Sequence, residues 1–439
     1  MAMDGASFSG DRRFSGAVAT PYWWEACPRP SLPSHPLPKS VDVVVIGSGY
    51  TGLSAAIETA RGGRSTLVLE AEAAGIGCST RNGGQVSTSI KPTFGDLKGR
   101  FNEDLAFRIR REGMNALAHV GEVVAREKID CHFGVTGRFH AAHTPRHFKE
   151  LADFAENQPK GLEVPIEIVP RAEVRRELAS DRYFGGAIMK KHALLDPAKY
   201  HQGLLDTAIK AGAGVADGTP VTAIERDSRG FRVLTARGAV AARNVLVATN
   251  GYSGPLSPWH RRRVIPIGSY VLATEPLPED LVRTQIPNDR AVSDTRRVVV
   301  YFRRSPDGRR IVFGGRAALG EKNPLKVLPR LHRMMVDIMP DLEGTSVTHC
   351  WVGFVAYTFD TLPHIGVNDG IHYAMGYCGS GVSLASYFGT RVGQQILGLK
   401  DGATALDGIA FETRPLYYGK PWFLAPSVAY YRTLDRLGR

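Results

Sequence analysis

Gly47-Ser48-Gly49-Tyr50-Thr51-Gly52 is the stretch whose residue types and spacing point most directly to chemistry. It follows the apolar run Val41–Ile46 and opens a segment of small residues, which fits a G-x-G-x-x-G turn between a strand and a helix. The first glycine of such a turn permits the tight bend, the second lets backbone approach a pyrophosphate, and the third lets helix and strand pack closely. The helix N-terminus adds N–H groups and the positive end of its dipole. Glu70, followed by Ala71, closes the next apolar run about twenty residues further on, where a carboxylate would meet ribose hydroxyls. Glu70 also reads as a solvated strand-end acid. An acid at this place disfavours a 2′-phosphate, so NADP is the least expected dinucleotide.

A second chemical stretch is Gly77-Cys78-Ser79-Thr80-Arg81-Asn82-Gly83-Gly84-Gln85. Its small residues and paired glycines would let backbone lie against a flat ring, with Arg81, Asn82 and Gln85 as polar contacts. No catalytic triad or carboxylate pair stands out. Five widely spaced cysteines contain no C-x-x-C pair, so neither a disulfide framework nor a metal site is expected.

The elements that must position these residues follow from periodicity. Val41–Ile46 and Thr66–Leu69 read as buried parallel strands around a helix over about 50–61. A long amphipathic helix is expected over about 102–127. Asp196-Pro197 reads as the start of another helix that ends at Gly212. Val221–Ile224, Phe231–Leu234 and Val245–Ala248 are short strand-like runs, and Val298–Arg303 with Ile311–Phe313 flank a hairpin turn. Val347–Ala356 reads as a strand, and a last helix runs from Gly381 through Ile396. The expected fold is α/β, a Rossmann-like dinucleotide domain interleaved with an α+β substrate domain on a mixed, largely antiparallel sheet. The first domain would comprise residues 41–95, 191–257 and 347–399, and the second 96–190 and 258–346. Residues 1–40, rich in proline, form a leader anchored by Trp23-Trp24; residues 400–439 form a tail that could pack on the body or on a partner.

Composition bounds the rest. The 439 residues suffice for a large core, and the formal charge of +12 is scattered rather than clustered, which argues against nucleic-acid binding. No apolar run is long enough to span a membrane. Arg12-Arg13 is not followed by the apolar core of an export signal, so a cytoplasmic protein is expected. A homo-oligomer is compatible with the sequence.

Taken together, the chain resembles the D-amino-acid-oxidase superfamily of FAD-dependent amine oxidoreductases, and within it the γ-glutamylputrescine oxidase-like branch. The resemblance rests on Val44–Ala56 and Arg81–Gln85, then Leu195–Tyr200 and Ala248-Thr249-Asn250-Gly251. It continues through Trp351-Val352-Gly353, Thr358–Gly366 and Gly376–Val382. It implies FAD bound by the first turn, by Glu70 and Ala71, and by Ser79, Thr80, Arg81, Asn82, Gly83, Gly84 and Gln85. It further implies adenine contact by Val221 and flavin contacts from Thr249, Asn250, Gly251, Asp360, Pro363, Gly376, Gly379, Ser380, Gly381 and Val382, with His364 near the ring. Some relatives attach FAD through a His aligned with Arg81 or a Cys aligned with Gly353; neither is present, so non-covalent FAD is expected. The implied reaction is oxidation of a primary or secondary amine, with or without a carboxylate, by hydride transfer to flavin N5. The imine then hydrolyses, and hydrogen peroxide forms if O2 is the acceptor. Arg303, on one strand face with Tyr301, is the first choice for holding a substrate carboxylate. Arg81 would lie beside it, and Tyr270 and Trp351 would wall an ammonium group. Two other readings stand beside this one: an NAD-linked dehydrogenase, and a flavin-bound subunit without turnover.

Overall fold

The computed structural model describes residues 11–318 and 323–436; the first ten residues of the leader, residues 319–322 and the last three of the tail lie outside the described residues. Val41–Ile46 forms the centre of the first sheet as part of the strand Ser40–Ile46, paired in parallel with Thr66–Leu69 on one side and Gly238–Val247 on the other. Gly214–Ala216 and Ile371–Met375 extend the parallel run outwards. His364–Asn368, Gly230–Thr235 and Val221–Asp227 add antiparallel strands. Residues 43–46 and 66–69 are buried along their whole length, as strands covered on both faces must be.

Two helices cross on this sheet at short range. Tyr50–Arg61 packs on Gly381–Ile396, where a Cβ on Gly389 would fall 2.5 Å from the Thr51 carbonyl oxygen. Thr51 Oγ1 also lies 2.7 Å from Tyr377 Oη, so the starts of the two helices are tied side by side.

The second sheet has eight strands in the order Val347–Tyr357, Ile265–Thr274, Ile311–Gly315, Val300–Arg304, Ala291–Asp294, Arg138–Ala141, Gly185–Met189 and Ile166–Pro170. All its pairings are antiparallel except that of Ala291–Asp294 with Arg138–Ala141. One face, with Phe139, Ile188, Tyr270, Leu272, Val292, Phe302 and Phe313, packs under the helix Leu328–Ile338. The opposite face carries Arg138, His140, Ser269, Ser293 and Tyr301 towards the first sheet. Strands of the two sheets alternate along the chain, as expected. The boundary drawn at residue 347 needs correction, because the strand Val347–Tyr357 pairs with Ile265–Thr274 and so belongs to the second sheet.

The leader and the tail both close on this body. Trp23 is fully buried, packs edge-on against Trp351 and donates from Nε1 to the Asn82 carbonyl at 2.9 Å. In the tail, Phe411 stacks on His364 at 4.1 Å, Tyr417 donates to the Val264 carbonyl, and Leu424 and Val428 pack on Ile265 and Ile267. Among the described residues no helix is long and apolar enough to cross a membrane. Truncating the anchor should be costly: Trp23→Ala is expected to lower stability by about 3–5 kcal/mol, checked by equilibrium urea unfolding. An unchanged midpoint would mean that Trp23 does not hold the leader down.

Candidate active site

The Gly47–Gly52 turn has the geometry that a bound diphosphate requires. Gly47 has φ +105°, and a Cβ on Gly52 would fall 1.9 Å from the Gly47 carbonyl oxygen, so only glycine fits. Gly49 caps the helix Tyr50–Arg61 without any side-chain hydrogen bond to it. That leaves the helix start open to an anion except at the Tyr50 N–H, which donates to Ser79 Oγ. Glu70 lies beside the turn and accepts from Ser48 N–H at 2.9 Å and Ser48 Oγ–H at 2.7 Å. Ala71 follows it directly, and Val221 begins its strand in the same sheet.

Between the two sheets lies a cavity of about 830 Å³. Cys78, Ser79, Arg81, Asn82, Gly83 and Gln85 line it from one side, and Cys378, Gly379, Ser380, Gly381 and Val382 from another. Arg81 and Gly379, nearly three hundred residues apart in the chain, therefore meet in one cleft. Gly376, Cys378 and Gly379 all have positive φ, and the helix that follows begins at Ser380 without a side-chain cap. This strip of backbone lies at the positive end of a helix dipole, with the Cys378 and Ser380 N–H groups held by the Ala356 and Tyr377 carbonyls. Asn250 Oδ1 accepts from Gly376 N–H and fixes the strip to the first sheet. Gln85 Nε2 is buried in the cavity wall with no hydrogen-bond partner. A glycine turn at one helix start, a second helix start in the cavity wall and an orphaned amide donor fit a dinucleotide carrying a flat, hydrogen-bonding ring.

The structure does not bring all of the expected residues to this space. Tyr301 lines the cavity, with its ring over Gly83 and Gly314 and its hydroxyl 2.9 Å from Ser269 Oγ. Arg81 lines it as well, but its guanidinium donates to the Ile76 and Val352 carbonyls and lies 4.9 Å over Trp24. Arg303 shares the face of Tyr301, as alternation requires, yet does not reach the cavity. It is 3% exposed and donates to the Gly84, Leu195 and Arg304 carbonyls, because the Gly83-Gly84 turn and Trp23 close over it. Tyr270 points to the opposite face of the sheet and belongs to its apolar core. Trp351 is fully buried against Trp23 and donates from Nε1 to the Arg81 carbonyl at 2.8 Å. Neither of the last two walls the cavity. His364 is spoken for as well: it stacks on Phe411 and pairs with Asp360 at 3.0 Å. Asp360, Pro363, Thr249 and Gly251 lie behind the cavity lining, with Gly251 against the Phe354 backbone.

Several lining residues were not anticipated from sequence. Arg316 follows the strand Ile311–Gly315, donates to Tyr357 Oη at 2.6 Å and sits 5.0 Å over that ring. Phe354 and Tyr357, three residues apart near the end of Val347–Tyr357, also line the cavity. The adjacent glycines Gly314-Gly315 before Arg316 are the one signal that could have located it. Burial sets the protonation of the nearby groups. It pushes the Tyr301 phenol up to about 12, the Cys78 thiol up to about 11 and the His140 imidazole down to about 3, with Arg138 adding to the last shift. Cys350 faces the opposite core with its thiol donating to the Pro324 carbonyl.

Comparison with known proteins identifies the family. The family described as FAD dependent oxidoreductase (DAO) matches residues 42–395. The chain is 31% identical to gamma-glutamylputrescine oxidoreductase of Escherichia coli strain K12 over 90% of this chain and 93% of that protein. It is 33% identical to the probable oxidoreductase OrdL of Rhizobium meliloti, over 86% of this chain and 88% of the relative. The crystal structure of glycine oxidase from Geobacillus kaustophilus shares the fold, with a TM-score of 0.72 at 20% identity over 86% of this chain and 99% of that one. The chain belongs to the DAO family of FAD-dependent oxidoreductases, and its cofactor is FAD.

Proposed function

We infer that this chain oxidises a primary or secondary amine that carries a carboxylate, of the γ-glutamylputrescine or N-alkyl amino acid kind. The observation that carries this reading is that one cavity joins the Gly376–Gly381 strip to Tyr301, Phe354, Tyr357 and Arg316. When bound, FAD supplies the acceptor for the two electrons and the hydrogen lost from the carbon beside the nitrogen. The chain's own residues supply placement and field. The uncapped start of Gly381–Ile396 favours negative charge at the ring edge it faces. The rings of Phe354 and Tyr357 suit an amine, and Arg316, which donates to Tyr357 Oη, places a positive charge beside them. Tyr301, kept neutral by burial, donates or accepts a hydrogen bond and does not act as a base. His140 and His192 are both held neutral by burial, so the substrate nitrogen is expected to lose its proton to solvent before reaction. FAD is proposed to be dissociable. Arg81 and Gly353 offer no attachment atom, and Cys78 is kept as a thiol by burial.

The direct test is anaerobic titration of the purified yellow protein with a panel of amines and amino acids. Bleaching of the band near ~450 nm, restored by air with release of hydrogen peroxide, is expected for at least one carboxylated amine. Acid precipitation should leave the flavin in solution. A yellow protein that no amine bleaches would overturn the reading.

Two arginines should behave differently. Arg316→Ala is expected to raise KM for carboxylated amines about ten- to a hundredfold while FAD occupancy is kept. Arg303→Ala, which removes the buried guanidinium donor to the Leu195 carbonyl and the second of two donors to the Gly84 carbonyl, should lower the unfolding temperature and weaken FAD retention. Steady-state kinetics and thermal unfolding of the two variants separate these outcomes, and a selective KM effect in Arg303→Ala would return that residue to the site.

A further inference from the structure

The cavity does not end at Phe354 and Tyr357. Its floor runs across the second sheet: Gly353 pairs with Ser269, the Ser269 and Tyr301 hydroxyls meet, Tyr301 pairs with Ser293, and Ser293 pairs with His140. Arg138 stands two residues before His140 on the same strand face. That strand lies two spacings beyond the strand of Tyr301, about 10 Å at the usual distance between strands. Leu151, Phe154, Leu162, Val164 and Met189 give this distal part apolar walls, with Asn157, Gln158 and Lys91 also in the lining.

Four enclosed arginines can be compared within this body. Arg81, Arg110 and Arg303 each direct their N–H groups to two or more backbone carbonyls. Arg138 has no such partner. Its Nη2 donates to Met189 Sδ, a weak acceptor, and its Nε is buried with no partner at all. No carboxylate among the described residues forms an ion pair with it. The nearest candidate in the wall, Asp294, is committed to Arg296 and Tyr183 on the other face of the sheet. His192 Nε2, also buried and without a partner, borders the same space. A buried guanidinium costs several kcal/mol unless an anion meets it. Five N–H groups in a planar fork match a carboxylate best.

We propose that Arg138 forms a distal subsite for a carboxylate, so that this enzyme takes elongated amines whose anionic end lies about 10 Å from the nitrogen that is oxidised. The subsite rests on the amine-oxidising reading for its purpose, but not for its existence. Arg316 and Arg138 then divide the labour, one near the reacting carbon and one at the far end of the substrate. His192 adds a second donor at the distal end.

Two measurements on the FAD-loaded protein test this. In the first, calorimetric titration with straight-chain alkanoates, which carry no amine to oxidise, is compared with titration by the corresponding alkanamides. Wild type should bind the longer alkanoates about tenfold or more tightly than the amides. Arg138→Gln should remove that preference and Arg138→Lys should keep part of it. In the second, kcat/KM for a homologous series of ω-aminoalkanoates is divided by that for their carboxamides. The ratio should rise with chain length in wild type and fall to about one in Arg138→Gln, while inorganic phosphate and chloride should compete only weakly. Equal binding of acid and amide by wild type, or an undiminished ratio in Arg138→Gln, would overturn the subsite. Should Arg138→Gln not fold, the wild-type comparison and Arg138→Lys still decide. Alkanoate binding without oxidation of any amine would keep the subsite and discard the amine reading. Oxidation of amines with no carboxylate preference would do the reverse.

Discussion

The segment from Gly77 to Gln85 runs between two sheets, bonded to itself by its own turns and tied to the body by residues remote in sequence. Trp24 Nε1 donates to Thr80 Oγ1, Trp351 Nε1 to the Arg81 carbonyl, Trp23 Nε1 to the Asn82 carbonyl and Arg303 Nη1 to the Gly84 carbonyl. The Arg81 and Asn82 carbonyls would destabilise the segment if left enclosed without these indole donors, so the remote side chains help to determine where it can lie. The paired glycines serve the same constraint. A Cβ on Gly83 would meet the Tyr301 ring at 2.8 Å, and one on Gly84 would meet the Leu195 carbonyl at 2.2 Å. The front of the segment is thereby free to face the cavity while its back is filled.

From that constraint the rest of the site follows. The first sheet contributes two helix starts, brought together by the glycine-mediated crossing of Tyr50–Arg61 and Gly381–Ile396 and by the Thr51–Tyr377 contact. The second sheet contributes a floor whose polar side chains alternate with the aromatic core beneath. The pinned segment lies where the two meet, so cofactor contacts and substrate contacts are set by one piece of backbone. The proline-rich leader has a structural reason for its two tryptophans, since both are used to hold this junction.

Much of the first sheet was legible because its signals are local. An unbroken apolar run, a glycine turn of fixed spacing and a terminal acid need no distant partner to be recognised, and the strand, helix and strand fall where they were expected. The second sheet was harder. Ile265–Thr274, buried along nearly all its length, carries Pro266 and Gly268, which read as breakers, and Gly185–Met189 opens with two glycines. Arg303 shows where local reasoning stops. Period-two alternation correctly placed it on the face of Tyr301, but whether that face is open or roofed depends on Trp23 and Gly84, both more than two hundred residues away. The same limit hid Arg138, whose sequence neighbours say nothing about the absence of an acid opposite it. Trp351 and Tyr270 were read as walls for a ligand, whereas large aromatic side chains on a two-faced sheet fill a core unless something removes the layer above them.

The claim on which the site depends is that side chains behind the segment, and not only contacts of the segment with itself, set its affinity for the cofactor. Trp351→Phe removes the donor to the Arg81 carbonyl and keeps an aromatic ring in place. The most direct measurement is the FAD dissociation constant of this variant, by fluorescence titration of the apoprotein, with far-ultraviolet circular dichroism as a control for folding. Weakening of about tenfold with an unchanged dichroism spectrum is predicted. Wild-type affinity in the variant would contradict the account.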